Sequence, residues 1–213
     1  MTDRTADHAA LMDATYRHQR LIYDATRAWF LFGRDRLIEE LDPPQGGRVL
    51  ELACGTGRNL DLIARRYPGR RLYGLDISRQ MLRSASAKLG NRAFLAEGDA
   101  CRFSGEALFR TRGFDRIVLS YAVSMIPDWQ DAIRAATRHL ASGGELHVVD
   151  FHDQAGLPVW FRAGLRRWLA EFHVTPRIGL EAACGRIGAE YGCTVSHGSL
   201  FRGYAQRAVI RRG

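Results

Sequence analysis

The sequence predicts an α/β protein, a doubly wound, seven-stranded, mostly parallel sheet beneath an N-terminal helical cap. Three observations carry the prediction. An apolar run at residues 49–52 ends in a glycine-containing turn and is followed by a helix pattern at 60–66. A second apolar run, 71–75, delivers an acid, Asp76, nineteen positions after Gly57. Strand and helix patterns then alternate to about residue 151, and two closing strand patterns complete the sheet.

In chain order, residues 1–45 read as the cap, with helices at about 5–30 and 33–42. This stretch is aromatic and basic: Tyr16, Tyr23, Trp29 and Phe30 stand among Arg17, Arg20, Arg27, Arg34 and Arg36. Residues 46–151 form the cofactor-binding core. Its first strand is a continuous apolar run, as expected of a parallel strand buried on both faces. Residues 152–213 supply helices at about 156–172 and 179–191, then strands at about 194–200 and 203–211. The whole chain reads as a single domain, and 213 residues with 46% hydrophobic content are ample for one core.

The glycine loop carries the chemistry. Gly55 and Gly57 allow a sharp turn and leave no side chain between loop and ligand. An acid at the end of the next strand is how an open α/β sheet holds ribose hydroxyls. A phosphate-binding Walker loop is excluded, because Gly57 is followed by Arg58 and Asn59 and Lys88 is the only lysine in the chain. The dinucleotide pattern wants a third small residue where Leu60 stands. What remains is a glycine loop with Glu51 before it and Asp76 after it. That acidic rim suits a cofactor with an ammonium group and no pyrophosphate, and S-adenosylmethionine has that character.

The segments ELACGTG at 51–57, GLDIS at 74–78, EGDA at 97–100, FDRIVLSYAVSMIPD at 114–128 and LASGGELHVVDF at 140–151 follow one another in order. Together they resemble the successive motifs of the class I S-adenosylmethionine-dependent methyltransferases, over roughly residues 46–151. The resemblance implies a Rossmann-like sheet and the cofactor S-adenosylmethionine. It implies that Glu51, Gly55 and Gly57 line the methionine end, that Asp76 takes the ribose, that Asp99 and Ala100 face the adenine, and that Ser120 and Tyr121 close the pocket. Ala53, Asn59, Ile77 and Met81 are also expected at the cofactor. Ala53 departs from the pattern, which usually places a glycine there, at the cost of a methyl group of clearance.

A closer resemblance covers nearly the whole chain. MDATYRHQRLIYDATRAWFLFGRDRL at 12–37 and GLPVWFRAGLRRWLAEFHVTPR at 156–177 are similar to the small bacterial phospholipid N-methyltransferases and the related betaine-lipid enzymes. This implies methylation of a lipid headgroup amine, phosphatidylethanolamine to phosphatidylcholine, or trimethylation of diacylglyceryl-homoserine. Tyr16, Tyr23 and Tyr121 are the expected orienting aromatics, since ring faces hold partly methylated ammonium groups. His152 is the expected proton acceptor, or else a hydrogen-bonded surface histidine. Arg34 and Arg36 are expected at a lipid phosphate or carboxylate, or else as plain helix-surface arginines.

Thirty-one basic against 23 acidic residues leave a charge of +8. Arginine-rich composition accounts for part of this, and attraction to an anionic surface for the rest. Trp160, Phe161, Leu165, Trp168, Leu169 and Phe172 fall on one helical stripe beside Arg162, Arg166 and Arg167. That stripe reads either as a helix lying in a membrane interface or as a core-packed amphipathic helix. The expected partner is therefore a lipid at an anionic membrane surface, met by a monomer peripherally attached to the inner membrane from the cytoplasm. No nucleic acid is expected, because YAVSMIPDW stands where base-amine methyltransferases carry their base-holding motif. No metal is expected, because the four cysteines lack ligand spacing. A small-molecule methyltransferase acting on a quinone precursor or natural product would share every cofactor motif.

Overall fold

The computed structural model describes residues 31–172 and 174–213. The expected helix at about 5–30, with Tyr16 and Tyr23, lies outside the described residues. The elements run α1 (Arg34–Glu40), β1 (Arg48–Leu52), α2 (Arg58–Arg66), β2 (Arg71–Asp76), α3 (Arg79–Leu89) and β3 (Ala93–Glu97). A short α4 (Gly105–Phe109), β4 (Phe114–Ser120), α5 (Trp129–Arg138) and β5 (Leu140–Phe151) follow. The chain closes with α6 (Val159–Glu171), α7 (Leu180–Glu190), β6 (Cys193–Leu200) and β7 (Ala205–Arg212).

The seven strands form one sheet in the order β3-β2-β1-β4-β5-β7-β6. β1 pairs parallel with β2 and β4, β2 with β3, and β4 with β5. β7 runs antiparallel between β5 and β6. Strand order reverses between β1 and β4, so the loops leaving their carboxyl ends part there and open a crevice. Helix α2 starts at Arg58, two residues before the sequence pattern predicts, because Gly57 in the left-handed conformation can cap it directly. Ser78 caps α3 by accepting the Met81 amide at 3.3 Å.

Alternation along the strands sorts the core into two layers. Leu50, Leu52, Ile117, Leu119, Leu146 and Val148 face α5 and α7 in one cluster. Val49, Val118, Val149 and Phe151 face α1, α2 and α6 in the other. Because side chains alternate with period two, Glu51 shares the face of Val49 and looks toward α1.

A buried ion network fastens α1 to the sheet. Glu145 accepts His147 Nε2 at 2.8 Å and Arg211 Nε at 2.7 Å, and Arg116 Nε lies 3.8 Å away. Arg116 in turn donates to the carbonyls of Leu41 and Asp42 just after α1. Arg36 is held by Glu40 at 2.7 Å, and Glu40 also pairs with Arg207 of β7. Arg36 therefore lies over His147 and Arg207, outside the residues that line the crevice.

The His147 hydrogen bond, reinforced by Arg211 and Arg116, holds the Glu145 carboxyl down to about 2 against its own desolvation. The unfolded carboxyl titrates near 4.5, so this stabilisation is whole above pH 4.5 and is lost as pH falls toward 2. Glu145→Gln is expected to cost about 2–3 kcal/mol at pH 7. Urea unfolding at pH 7 and pH 3 checks this: the gap between wild type and variant should narrow at the lower pH.

Candidate active site

The loop between β1 and α2 takes three left-handed residues, Ala53, Gly55 and Gly57, at φ 53°, 54° and 73°. The cost of Ala53 is thus conformational, of order 1 kcal/mol for a non-glycine residue in that region, where the sequence suggests lost clearance. The two glycines do different work. A Cβ on Gly55 would meet nothing within 4 Å, so its bare face is open space for a ligand. A Cβ on Gly57 would come within 2.7 Å of Leu89 Cδ1 and 3.1 Å of the Ala85 Cβ. Gly57 is therefore the residue that lets α3 pack against the loop.

Asp76 joins this loop to the end of β2. Its Oδ2 accepts the Gly55 amide at 2.7 Å and its Oδ1 accepts the Ser78 amide at 2.9 Å. A carboxylate has about four acceptor positions, so ribose hydroxyls can still bind. Glu51 is 2% exposed, with Oε1 accepting Asn59 Nδ2 at 2.6 Å. Asn59 therefore orients Glu51 rather than a ligand. Oε2 of Glu51 is buried with no hydrogen-bond partner among the described residues. Burial, helped by the nearby charge of Asp76, raises the Glu51 carboxyl to about 8 against the Asn59 hydrogen bond and Arg34.

A crevice runs along the carboxyl ends of β1, β2 and β3. Ala53, Asp76, Ile77, Asp99, Ala100 and Pro127 are among its walls, and it encloses about 620 Å³ of empty space open to solvent. Asp99 is shaped by the Cys101 amide, which donates to its Oδ1 at 2.9 Å. The donor set suits S-adenosylmethionine: a carboxylate for the ribose, another at the adenine end, and an orphaned buried acid for an ammonium group. Met81 lies behind the wall, buried against Ile77, Met125 and Phe172.

The residues expected at the acceptor side separate. Tyr121 is buried, packs edge-on against Phe151 at 4.7 Å, and donates its hydroxyl to the Phe32 carbonyl. It holds the segment before α1. Ser120 Oγ and His152 Nδ1 are buried without partners among the described residues. Arg34 is 4% exposed, so it is no helix-surface residue. Its nearest acid partner is Asp35 at 3.5 Å, and it lies close enough to Glu51 and Arg58 to interact with both charges.

Two of the three struts of the β4–α5 loop, Arg177 and Gln206, carry no signal in the sequence. Arg177 donates to the carbonyls of Val123 and Ile126 at 3.1 and 2.9 Å, and Asp150 accepts the Ser124 amide at 3.0 Å. Gln206 donates to Phe151 and Arg177 carbonyls. Asp150 lies within the motif at 140–151, whereas nothing in the spacing of Arg177 and Gln206 marks them.

An ammonium group beside Glu51 favours its ionised form, so cofactor binding should expel a proton below about pH 8. S-adenosylmethionine affinity should rise with pH up to that value, by as much as about tenfold per pH unit. Calorimetry in buffers of different ionisation enthalpy reads this directly, and Glu51→Gln should abolish the proton release. Asp76→Ala should weaken binding by about 1.5–3 kcal/mol.

A profile described as a methyltransferase domain matches residues 49–144. The ubiquinone/menaquinone biosynthesis C-methyltransferase UbiE of Syntrophotalea carbinolica is 34% identical over 74% of this chain and 66% of its own length. The chain thus spans just under two thirds of that relative. A phosphatidylethanolamine N-methyltransferase of Cereibacter sphaeroides is 28% identical over 68% of this chain and 70% of its own. The plantazolicin methyltransferase BpumL, solved with S-adenosylhomocysteine, superposes with a TM-score of 0.73 at 15% identity, covering 98% of this chain and 96% of that one. Phosphoethanolamine N-methyltransferase 2 of Haemonchus contortus gives 0.69 at 18% identity, over 90% and 46%. At such identities these structures speak to the fold alone. Residues 49–144 form a methyltransferase domain, and in sequence the chain is similar to S-adenosylmethionine-dependent methyltransferases.

Proposed function

We propose that this enzyme methylates the primary amine of a membrane lipid headgroup, taking phosphatidylethanolamine to phosphatidylcholine by successive transfers. The observation that carries this reading is an uncovered apolar end of α6, where Val159 and Trp160 stand exposed at the same sheet edge as the crevice. A freely soluble acceptor calls for no such surface. One of the curated relatives is named for the methylation of phosphatidylethanolamine, a membrane lipid. The cap sequence at 12–37 favours the amine.

The cofactor supplies an electrophilic methyl group on a sulfonium. Asp76 holds the ribose, Asp99 and Ala100 the adenine. Glu51 and Arg34, a buried acid and a buried base side by side, match the ammonium and carboxylate of the methionine moiety. An alkylammonium acceptor has a pKa of roughly 10, so it must shed a proton before its nitrogen can attack. His152, with its buried unpartnered Nδ1 just beyond β5, takes that proton. Each transfer then forms one N–C bond and breaks one S–C bond in line, where positioning does most of the work. Tyr16 and Tyr23 are assigned to the acceptor ammonium.

A second reading, carbon methylation of a quinone precursor, is favoured by the higher identity to UbiE, 34% against 28%. Expression in a host without choline lipids, followed by lipid mass spectrometry, separates them. Mono-, di- and trimethylated phosphatidylethanolamine is the expected result, and a betaine lipid would move the acceptor to diacylglyceryl-homoserine. Restored quinone methylation in a strain lacking that step, with unmodified phospholipid, would replace the amine reading.

Arg34→Met tests the methionine assignment. It should weaken S-adenosylmethionine binding by about tenfold, the scale of a charge-assisted hydrogen bond, while the KM for lipid stays near wild type. The reverse pattern would return Arg34 to the headgroup.

A further inference from the structure

Helix α6 divides along its length. Leu165 and Leu169 are buried in the core, and Phe161, Trp168 and Phe172 pack partly against it. The first turn is different: Val159 is 70% and Trp160 76% exposed. The loop before that turn lies on the β6–β7 turn, where the Gly156 amide donates to the Arg202 carbonyl at 3.1 Å. Phe201, in that turn, is 51% exposed, and Phe32 tilts against it with ring centroids 5.9 Å apart. Four apolar side chains thus crown one rim of the molecule.

The rim is basic as well as apolar. Arg162, Arg166 and Arg167 follow Trp160 on α6, and Arg202 follows Phe201. Arg166 donates to the Gln154 side chain and the Asp153 carbonyl, neither of which neutralises it. The rim also has a fixed relation to the site. Phe151 at the end of β5 pairs with Ala205 at the start of β7, so both turns rise from the carboxyl edge that carries Glu51 and Asp76.

We propose that this rim, the first turn of α6 together with the β6–β7 turn, docks the enzyme on an anionic bilayer. Trp160, Val159 and Phe201 enter the headgroup level and the arginines meet acidic lipid. Indole and phenyl rings favour that depth, and basic residues add electrostatic attraction there. Charge decides against a second copy as the occupant, since a self-complementary contact would set the same four arginines against themselves. The contact is a tip and not the length of the helix, because Leu165, Trp168 and Leu169 are already used inward. This docking rests on the lipid-acceptor reading and adds an orientation: the carboxyl edge of the sheet faces the membrane.

The full chain should bind vesicles of equal parts phosphatidylglycerol and phosphatidylcholine, bind pure phosphatidylcholine weakly, and be released at 1 M salt, where the Debye length is about 3 Å. Val159→Ser with Trp160→Ser should weaken vesicle binding by about tenfold or more. Arg166→Glu with Arg167→Glu should do so by about thirtyfold. Both variants should keep wild-type S-adenosylmethionine affinity, and their activity on phosphatidylethanolamine in detergent micelles should be unchanged. Wild-type protein that ignores the anionic vesicles at low salt, or apolar variants that bind them as wild type does, would overturn the docking surface. So would a wild-type dimer in sedimentation that the serine substitutions dissociate. Vesicle binding with no lipid methylated in micelles or vesicles would keep the docking surface and remove the acceptor reading.

Discussion

The carboxylate of Asp76 is the point on which the site depends. One oxygen holds the Gly55 amide and the other holds the Ser78 amide, so the loops leaving β1 and β2 are tied through a single buried anion. Amide bonds to a carboxylate are the stronger kind, and burial shields these from water. The tie sets the glycine loop open toward the crevice and starts α3 through the Ser78 cap. Gly57 completes the arrangement, because only a bare α-carbon lets Leu89 and Ala85 of α3 close against the loop. Cofactor recognition and core packing are therefore one problem in this part of the chain.

Next to this tie the protein keeps an unsolved charge. Glu51 faces the α1 side of the sheet with one oxygen orphaned, and Arg34 enters the same region from the start of α1. Asn59 fixes the acid, and the Tyr121 hydroxyl on the Phe32 carbonyl fixes the segment that delivers the base. Burying the Glu51 carboxyl with one oxygen unpaired among the described residues costs stability. The Glu145 network plays the opposite part. It is satisfied throughout, lies toward the other end of the sheet, and secures α1 so that Arg34 stays where it is.

The closing third of the chain serves both core and surface. Arg177, Asp150 and Gln206 brace the β4–α5 loop that walls the crevice. Helix α6 covers the sheet with its later turns and leaves its first turn apolar and bare. A stripe of aromatic residues in a sequence does not reveal such a division. Hydrophobic periodicity reports that a face is apolar, and only the packed partner tells which part of that face is already covered.

The sequence by itself determined the sheet, the order of strands and helices, the glycine loop and the acids at Glu51, Asp76 and Asp99, because each is written in local period, turn chemistry and short spacing. Helix boundaries followed to within a few residues. What only the tertiary structure decided are the pairings between distant residues. Tyr121 reads as a pocket-closing aromatic after β4, and the fold buries it with its hydroxyl on the Phe32 carbonyl. Arg34 and Arg36, two positions apart, point to different ends of the sheet, because successive helical side chains are turned by about 100°. Asn59 serves Glu51 rather than a ligand, Gly57 serves α3, and Arg177 supports a loop some fifty residues away. None of these has a local signature, since each depends on which surfaces the folded sheet brings together.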